Sequence, residues 1–448
     1  MGYNDILLLP FFLLLVYFVA IIYRNKHYAK ENKLRKYFLP ALTVKILGAI
    51  AVGFIYQFYY KGGDTFYFYQ GSEVIWDIFS SGDILGAFKI LFTKAGDYQN
   101  DTFIYTQKIW AFKEPASFLV VKTAAFLSFF CMNTYLVIAL FFATFSFIAL
   151  WRMYELFISL FPHLHKQLAI AILFMPSVVF WGSGIFKDTI TLACLAWLTV
   201  AYYRIFMRGE KIIINTIILV VCSYFIVTIK TYIFLSILPA LLIWTVLIYW
   251  ENIETPILRI FITFMLILFT SIAGYFIIIQ LGEEFERYAI DNVLDTAQSM
   301  QRWHGYVSQR QSDSGYNIGE TNPSVFGVLS KIPASVNVTL FRPYIWEARN
   351  ILMLFAAIES TFIMILSIWI LFKTKVYKLY NIISENPTIA FCLIFAFIFA
   401  FAVGFSSYNF GALMRYKIPC IPFYMTAVYL IMDAIKKKKS LIKETVKH

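Results

Sequence analysis

The chain has 448 residues, enough for two or three soluble domains, but 60% of them are hydrophobic, 19% aromatic and only 14% charged. A mean hydropathy of +0.71 leaves too few polar side chains to cover a water-facing surface, so the composition points to a polytopic membrane protein. Cys131, Cys194, Cys222, Cys392 and Cys420 lie in or beside apolar runs without C-x-x-C spacing, which speaks against a disulfide framework or a zinc site. The net charge of +12 would fit a nucleic-acid partner only if it were gathered on a soluble surface, and it is not.

Apolar stretches long enough to span about 30 Å of hydrocarbon occur in chain order near residues 5–23, 38–59, 134–152, 166–183, 188–206, 212–229, 231–250, 258–281, 351–373, 387–407 and 413–433. The expected fold is therefore all-α, with about eleven transmembrane helices. Basic residues cluster in alternate connections: Arg24, Lys26, Lys30, Lys33, Arg35 and Lys36; then Arg204, Arg208 and Lys211; then Lys373, Lys375 and Lys378; then Lys436 to Lys439. The positive-inside rule puts these segments in the cytoplasm, with the amino terminus periplasmic and the carboxyl tail inside. No basic n-region or A-x-A-like cleavage site precedes Tyr23, so the first apolar run is expected to be a retained helix. Residues 1–36 then form an extra amino-terminal helix and basic loop, 37–433 the membrane module, and 434–448 a basic tail.

This threading leaves two large loops on the outer face, 60–133 and 282–350. The first ends in an apolar piece from Phe118 to Cys131, preceded by Glu114-Pro115 and interrupted by Lys122. It is too short to span and is expected to be interfacial or juxtamembrane. The second mixes both charge signs with turn residues and carries Trp303, Tyr306, Tyr316 and Phe326, which predict a small ordered cap.

Polar residues from distant segments are expected at the outer boundary. Lys61-Gly62-Gly63-Asp64-Thr65 follows the second span, and its glycines permit a sharp turn that presents Asp64 at the mouth of the bundle. A partly buried carboxylate there can serve as general base or coordinate a divalent cation; the plainer alternative is a cap on the segment 65–78. Pro176 to Asp188 brings a helix to the surface, breaks it at Gly182 and Gly184 and restarts it at Lys187-Asp188. Asp188 suits a helix amino terminus, and Lys187 suits either a phosphate headgroup or snorkelling. Lys230 sits in a connection so tight that it is expected at the outer rim. Arg342 and Arg349 precede the ninth span, inside which Glu359 is an ionisable residue in an apolar helix, expected to pair with an arginine. Arg415, opening the last span, suits bidentate phosphate binding. Tyr67, Tyr69, Trp181, Tyr344 and Trp346 suit either sugar faces or the interfacial aromatic belt. A carboxylate near the surface and a ring of cations are what transfer from a polyprenyl-phosphate carrier requires, since the phosphate leaves as an anion and the acceptor hydroxyl needs a base.

A first outer loop opening on an aspartate, the helix after Glu114-Pro115, and Phe186-Lys187-Asp188 opening a later span together resemble the GT-C superfamily of integral-membrane glycosyltransferases, which includes protein O-mannosyltransferases and aminoarabinose transferases of lipid A. The resemblance covers roughly residues 38–433 in topology. It implies that Asp64 is the catalytic acid of the first loop. It also implies an inverting transfer from an undecaprenyl-phosphate sugar to a periplasmic glycan, lipid or protein, in polysaccharide or envelope biosynthesis at the bacterial inner membrane. Lys187, Arg415, Arg342 and Lys230 are then the phosphate ligands, with Asp188, Arg349, Glu359 and Tyr67 in support; no metal ligand is assigned. The chain departs from the family in having Thr65 rather than a second acid after Asp64, and an extra amino-terminal helix.

Two other readings remain. In a polysaccharide polymerase or ligase of the O-antigen type, Arg302, Arg310, Arg342 and Arg349 would hold pyrophosphate and Asp64 would be incidental. A transporter of lipid-linked saccharides would show repeated halves with broken helices near the midplane, and the sequence shows neither.

Overall fold

The structure, a computed structural model, describes residues 2–250, 315–316, 318–319, 325–407 and 409–445, with scattered positions between 255 and 276. The expected span 258–281 and the arginines Arg302 and Arg310 lie in full or in large part outside the described residues. Among the described residues there is no strand; Gly315 and Asn409 form an isolated antiparallel bridge. Among the described residues seven helices are long and apolar enough to cross a bilayer, and a pair bent by 69°, Phe410–Tyr416 and Ile421–Lys437, makes an eighth if it is one span. With that many apolar helices the chain is a multi-pass membrane protein.

The chain divides into two compact units, one of residues 1–174, 178–201 and 211–230, the other of 175–177, 202–210 and 231–448. The first begins with α1 (Tyr3–His27) and α2 (Arg35–Phe54), the latter continued by a wider helical turn over Ile55–Tyr59. Outside the spans follow α3 (Asp64–Ser80), α4 (Ile84–Phe92), α5 (Phe103–Thr106) and α6 (Pro115–Cys131), and then α7 (Tyr135–Leu160). Asp64 thus opens a helix, close to the expected segment 65–78, and the apolar piece after Glu114 is a 17-residue helix with proline in its first turn.

Helices α2 and α7 pack antiparallel through Phe38, whose ring meets Phe147 and Trp151 edge-on at 5.1 and 4.8 Å. At their other end Thr65, just past α2, shares a hydrogen bond of 2.8 Å with Tyr135 at the start of α7. Asp5 near the start of α1 accepts from the backbone N–H of Leu136 at 2.8 Å. The starts of α1 and α7 and the end of α2 therefore lie at one level.

The expected span at 166–183 is an interrupted run: α8 (His165–Ala169), a wide turn over Ile170–Phe174, and α9 (Pro176–Trp181). Pro176 removes the N–H that a continuous helix would need there. Next come α10 (Lys187–Tyr203) and α11 (Ile212–Tyr249); inside α11 the backbone of Lys230 leaves the helical region at φ −150°, ψ 80° and splits the run into the two expected spans.

In the second unit the described helices after α11 are α12 (Val325–Ser330), α13 (Ile332–Phe341), α14 (Ile351–Lys373), α15 (Val376–Ser384), α16 (Pro387–Ser406), α17 (Phe410–Tyr416) and α18 (Ile421–Thr445). Helices α13 and α16 approach closely at Gly404, where Thr339 donates across to the carbonyl of Ala400 at 2.7 Å. Trp244 stacks on Phe391 at 4.3 Å and ties the second half of α11 to α16.

Candidate functional site

The turn that delivers Asp64 is built from three residues with positive φ, Lys61 at 56°, Gly62 at 138° and Gly63 at 117°. Gly63 is required twice over, because a Cβ there would stand 2.9 Å from the ring of Tyr56. The turn closes with the N–H of Gly62 donating to the carbonyl of Tyr56 at 2.9 Å. Thr65 is buried against Tyr135, and Asp64 faces outward and is exposed rather than partly buried. As the first residue of α3 its carboxylate is favoured by the helix dipole. The exposed ring of Tyr67 rests against Trp110 at 5.5 Å.

The break between α9 and α10 lies against this turn. Phe186 is fully buried, 5.4 Å from the Tyr56 ring and 6.1 Å from Trp181. Tyr56 therefore touches Gly63 on one side and Phe186 on the other, joining the Asp64 turn to the head of α10. Thr189 donates to the carbonyl of Gly184 at 2.7 Å, taking up a group the break leaves without a helical partner. Lys187 donates to Oε1 of Glu114 at 2.6 Å, and Ser117 donates to the other carboxylate oxygen at 2.6 Å. Lys230 donates to Oδ1 of Asp188 at 2.6 Å, with side-chain exposures of only 4% and 2%. Lys230 is thus not at a rim: the non-helical backbone at this residue accompanies a side chain buried on Asp188, because a buried ammonium needs its charge and donors satisfied, and here the Asp188 carboxylate does so.

Burial alone would push the Glu114 carboxyl up, but the hydrogen bonds from Lys187 and Ser117 outweigh it and hold the group below the usual carboxylate range. A depressed value means that the pair stabilises the fold above the unfolded carboxyl pKa and loses that contribution as pH falls through the folded one. Glu114→Gln is expected to lower the thermal midpoint slightly at neutral pH, since the pair is partly exposed and screened. The gap to the unsubstituted chain should close on acidification; a midpoint series across pH that keeps the gap constant would refute the linkage.

Lys45 is a site residue that sequence reasoning missed. In the middle of α2 and 1% exposed, it donates to the carbonyls of Val178 at 2.9 Å and Gly182 at 2.7 Å and to Ser146 at 3.1 Å. The ammonium takes up carbonyls that the end of α9 leaves unpaired. Its only signal in the sequence was a lone lysine inside an apolar span.

In the second unit Arg342 lies among three rings, 5.0 Å from the centroid of Phe410, 5.7 Å from Tyr344 and 5.8 Å from Tyr316. Its Nε donates to both oxygens of Glu347 at 3.1 Å, and its Nη2 also reaches that carboxylate. Lys417, fully buried, donates to Ser360 at 2.7 Å and to the carbonyl of Arg342 at 3.2 Å. The hydrogen bonds of Glu359 come not from an arginine but from the N–H and hydroxyl of Ser177, at 2.7 and 2.6 Å. Arg349 is exposed and Arg415 half-buried.

The structure thus brings Asp64, Lys187, Asp188 and Lys230 into the first unit, with Tyr67 beside the Asp64 turn, and Arg342, Arg349, Glu359 and Arg415 into the second. Among the described residues no group of three or more His, Cys, Asp or Glu side chains gathers that would hold a metal ion. Comparison of the chain with family models, with curated proteins and with solved structures gave no match.

Proposed function

We propose that the chain is a membrane glycosyltransferase of GT-C type that moves a sugar from a polyprenyl-phosphate donor to an acceptor hydroxyl on the periplasmic side of the bacterial inner membrane. The observation that supports the reading is the Tyr56–Phe186 packing, which joins the turn before the exposed Asp64 to the residue before Lys187 at the head of α10. In this reading Asp64 takes the proton of the acceptor hydroxyl. The oxygen attacks the anomeric carbon, the bond from that carbon to the phosphate oxygen breaks, and the phosphate leaves with both electrons. A single displacement inverts the anomeric centre. Lys187 exchanges the Glu114 carboxylate for the departing phosphate, a trade between two anions that its partly exposed position permits. Lys230 serves through Asp188 by fixing the head of α10. Arg342 and Arg415 remain phosphate ligands to be tested in the second unit.

The test is transfer from a radiolabelled undecaprenyl-phosphate sugar in proteoliposomes. Asp64→Asn is expected to lower the rate by about 10²- to 10⁴-fold with only a small drop in thermal midpoint from the lost dipole interaction, and Asp64→Glu to recover part of the rate. Full activity in Asp64→Asn overturns this reading. If Arg342→Gln then abolishes turnover, the polymerase or ligase reading takes its place; saccharide flux without transfer would make the chain a transporter.

A further inference from the structure

We infer that the first loop docks on the lipid leaflet itself, with α4 as an interfacial helix whose exposed apolar face lies among the acyl chains. The argument starts from α6. Its amino-terminal end is held at the start of α10, where Glu114 meets Lys187, and only three residues separate its carboxyl-terminal end from the start of α7. The starts of α7 and α10 lie at one level, since Thr65 bonds Tyr135 just past the end of α2 and Tyr56 near that end packs on Phe186. A 17-residue helix, about 25 Å long, with both ends at that level runs along the membrane plane.

Helix α4 packs on α3 and on α6, where the Phe88 ring meets Phe129 at 5.7 Å, and it buries Ala87 and Ile90. Its exposed side carries Leu85 and Phe92, two helical turns apart and 85% and 84% exposed. The same loop exposes further apolar rings, Phe126 and Phe130 on α6 and Trp110 before it, to 50%, 63% and 74%. A nine-residue helix is too short to span. Lys89, on the exposed side, pairs with Asp101, as a lysine does when its stem lies along apolar surface and its ammonium stays in the polar zone. A patch of this kind facing water would be an aggregation hazard. In a multi-pass protein, at the level of the span starts, the leaflet is the partner already present, and the aromatic Trp110 suits its interface. The inference does not depend on glycosyl transfer.

Leu85→Cys, Phe92→Cys and Asn100→Cys, each labelled with a nitroxide in the full chain and reconstituted in phosphatidylethanolamine–phosphatidylglycerol nanodiscs, test it by power saturation. Both apolar positions are exposed, so the cysteines should not disturb packing. The five native cysteines are buried, and the unsubstituted chain treated alike supplies the background. At 85 and 92, collisions with oxygen, which partitions into lipid, should exceed those with a water-soluble nickel chelate; at Asn100 the order should reverse. Chelate exceeding oxygen at 85 and 92 would overturn the inference. So would low access of both reagents there, which would mean that protein, such as a second copy of the chain, covers the face.

Discussion

Lys230→Met is expected to destabilise the first unit by about 3–5 kcal/mol, because it removes the ammonium that pairs with the buried Asp188 carboxylate. Asp188→Asn should cost a comparable amount by removing the carboxylate instead. Replacing both, as in Lys230→Met with Asp188→Leu, removes the charges together and should recover most of the loss, since the desolvation cost disappears with the attraction. Thermal midpoints of the four proteins in one detergent form the cycle. Additive losses would show that the two side chains do not act as a pair. The same variants separate structure from chemistry: if Lys230 serves only to fix the head of α10, the double variant should regain transfer along with stability.

Gly404→Leu is expected to be the most disruptive apolar substitution in the second unit. A Cβ at this position would stand 2.1 Å from the backbone carbonyl oxygen of Ser335 and 2.6 Å from the hydroxyl of Thr339, so α13 and α16 would have to separate. Overpacking of this sort usually costs about 1–3 kcal/mol, and here the obstacle is backbone, which cannot rotate away. Separation would also break the hydrogen bond from Thr339 to Ala400 and move the Gly404 carbonyl that accepts from Tyr316 at 3.1 Å. Small residues at such a crossing are what membrane helices use in place of a hydrophobic driving force. Gly404→Ala should show a smaller loss of the same sign, read as a lower midpoint on heating, while Gly2→Ala, where nothing lies within 4 Å, should be neutral. Equal midpoints for the Gly404 and Gly2 variants would refute the account.

The membrane class, most of the spans and the positions of the polar breaks were readable from the sequence alone. Those features are local: a run of about 20 apolar residues needs lipid wherever it packs, two glycines with positive φ make a turn whatever surrounds them, and a proline starts or interrupts a helix by its own geometry. Asp64 at a helix start and the helix after Glu114-Pro115 followed from such signals. The pairings did not. Lys187 finds Glu114 across 73 residues, Lys230 finds Asp188 across 42, and Lys45 reaches the carbonyl of Gly182 across 137. A helix that is apolar all round carries no stripe to say which side faces which neighbour, and in lipid no hydrophobic force orients it. Only the packed structure therefore decided that Lys230 points inward to a carboxylate rather than out to a rim, that Lys45 belongs to the break after α9, and that Tyr56 and Phe186 set the Asp64 turn beside the head of α10.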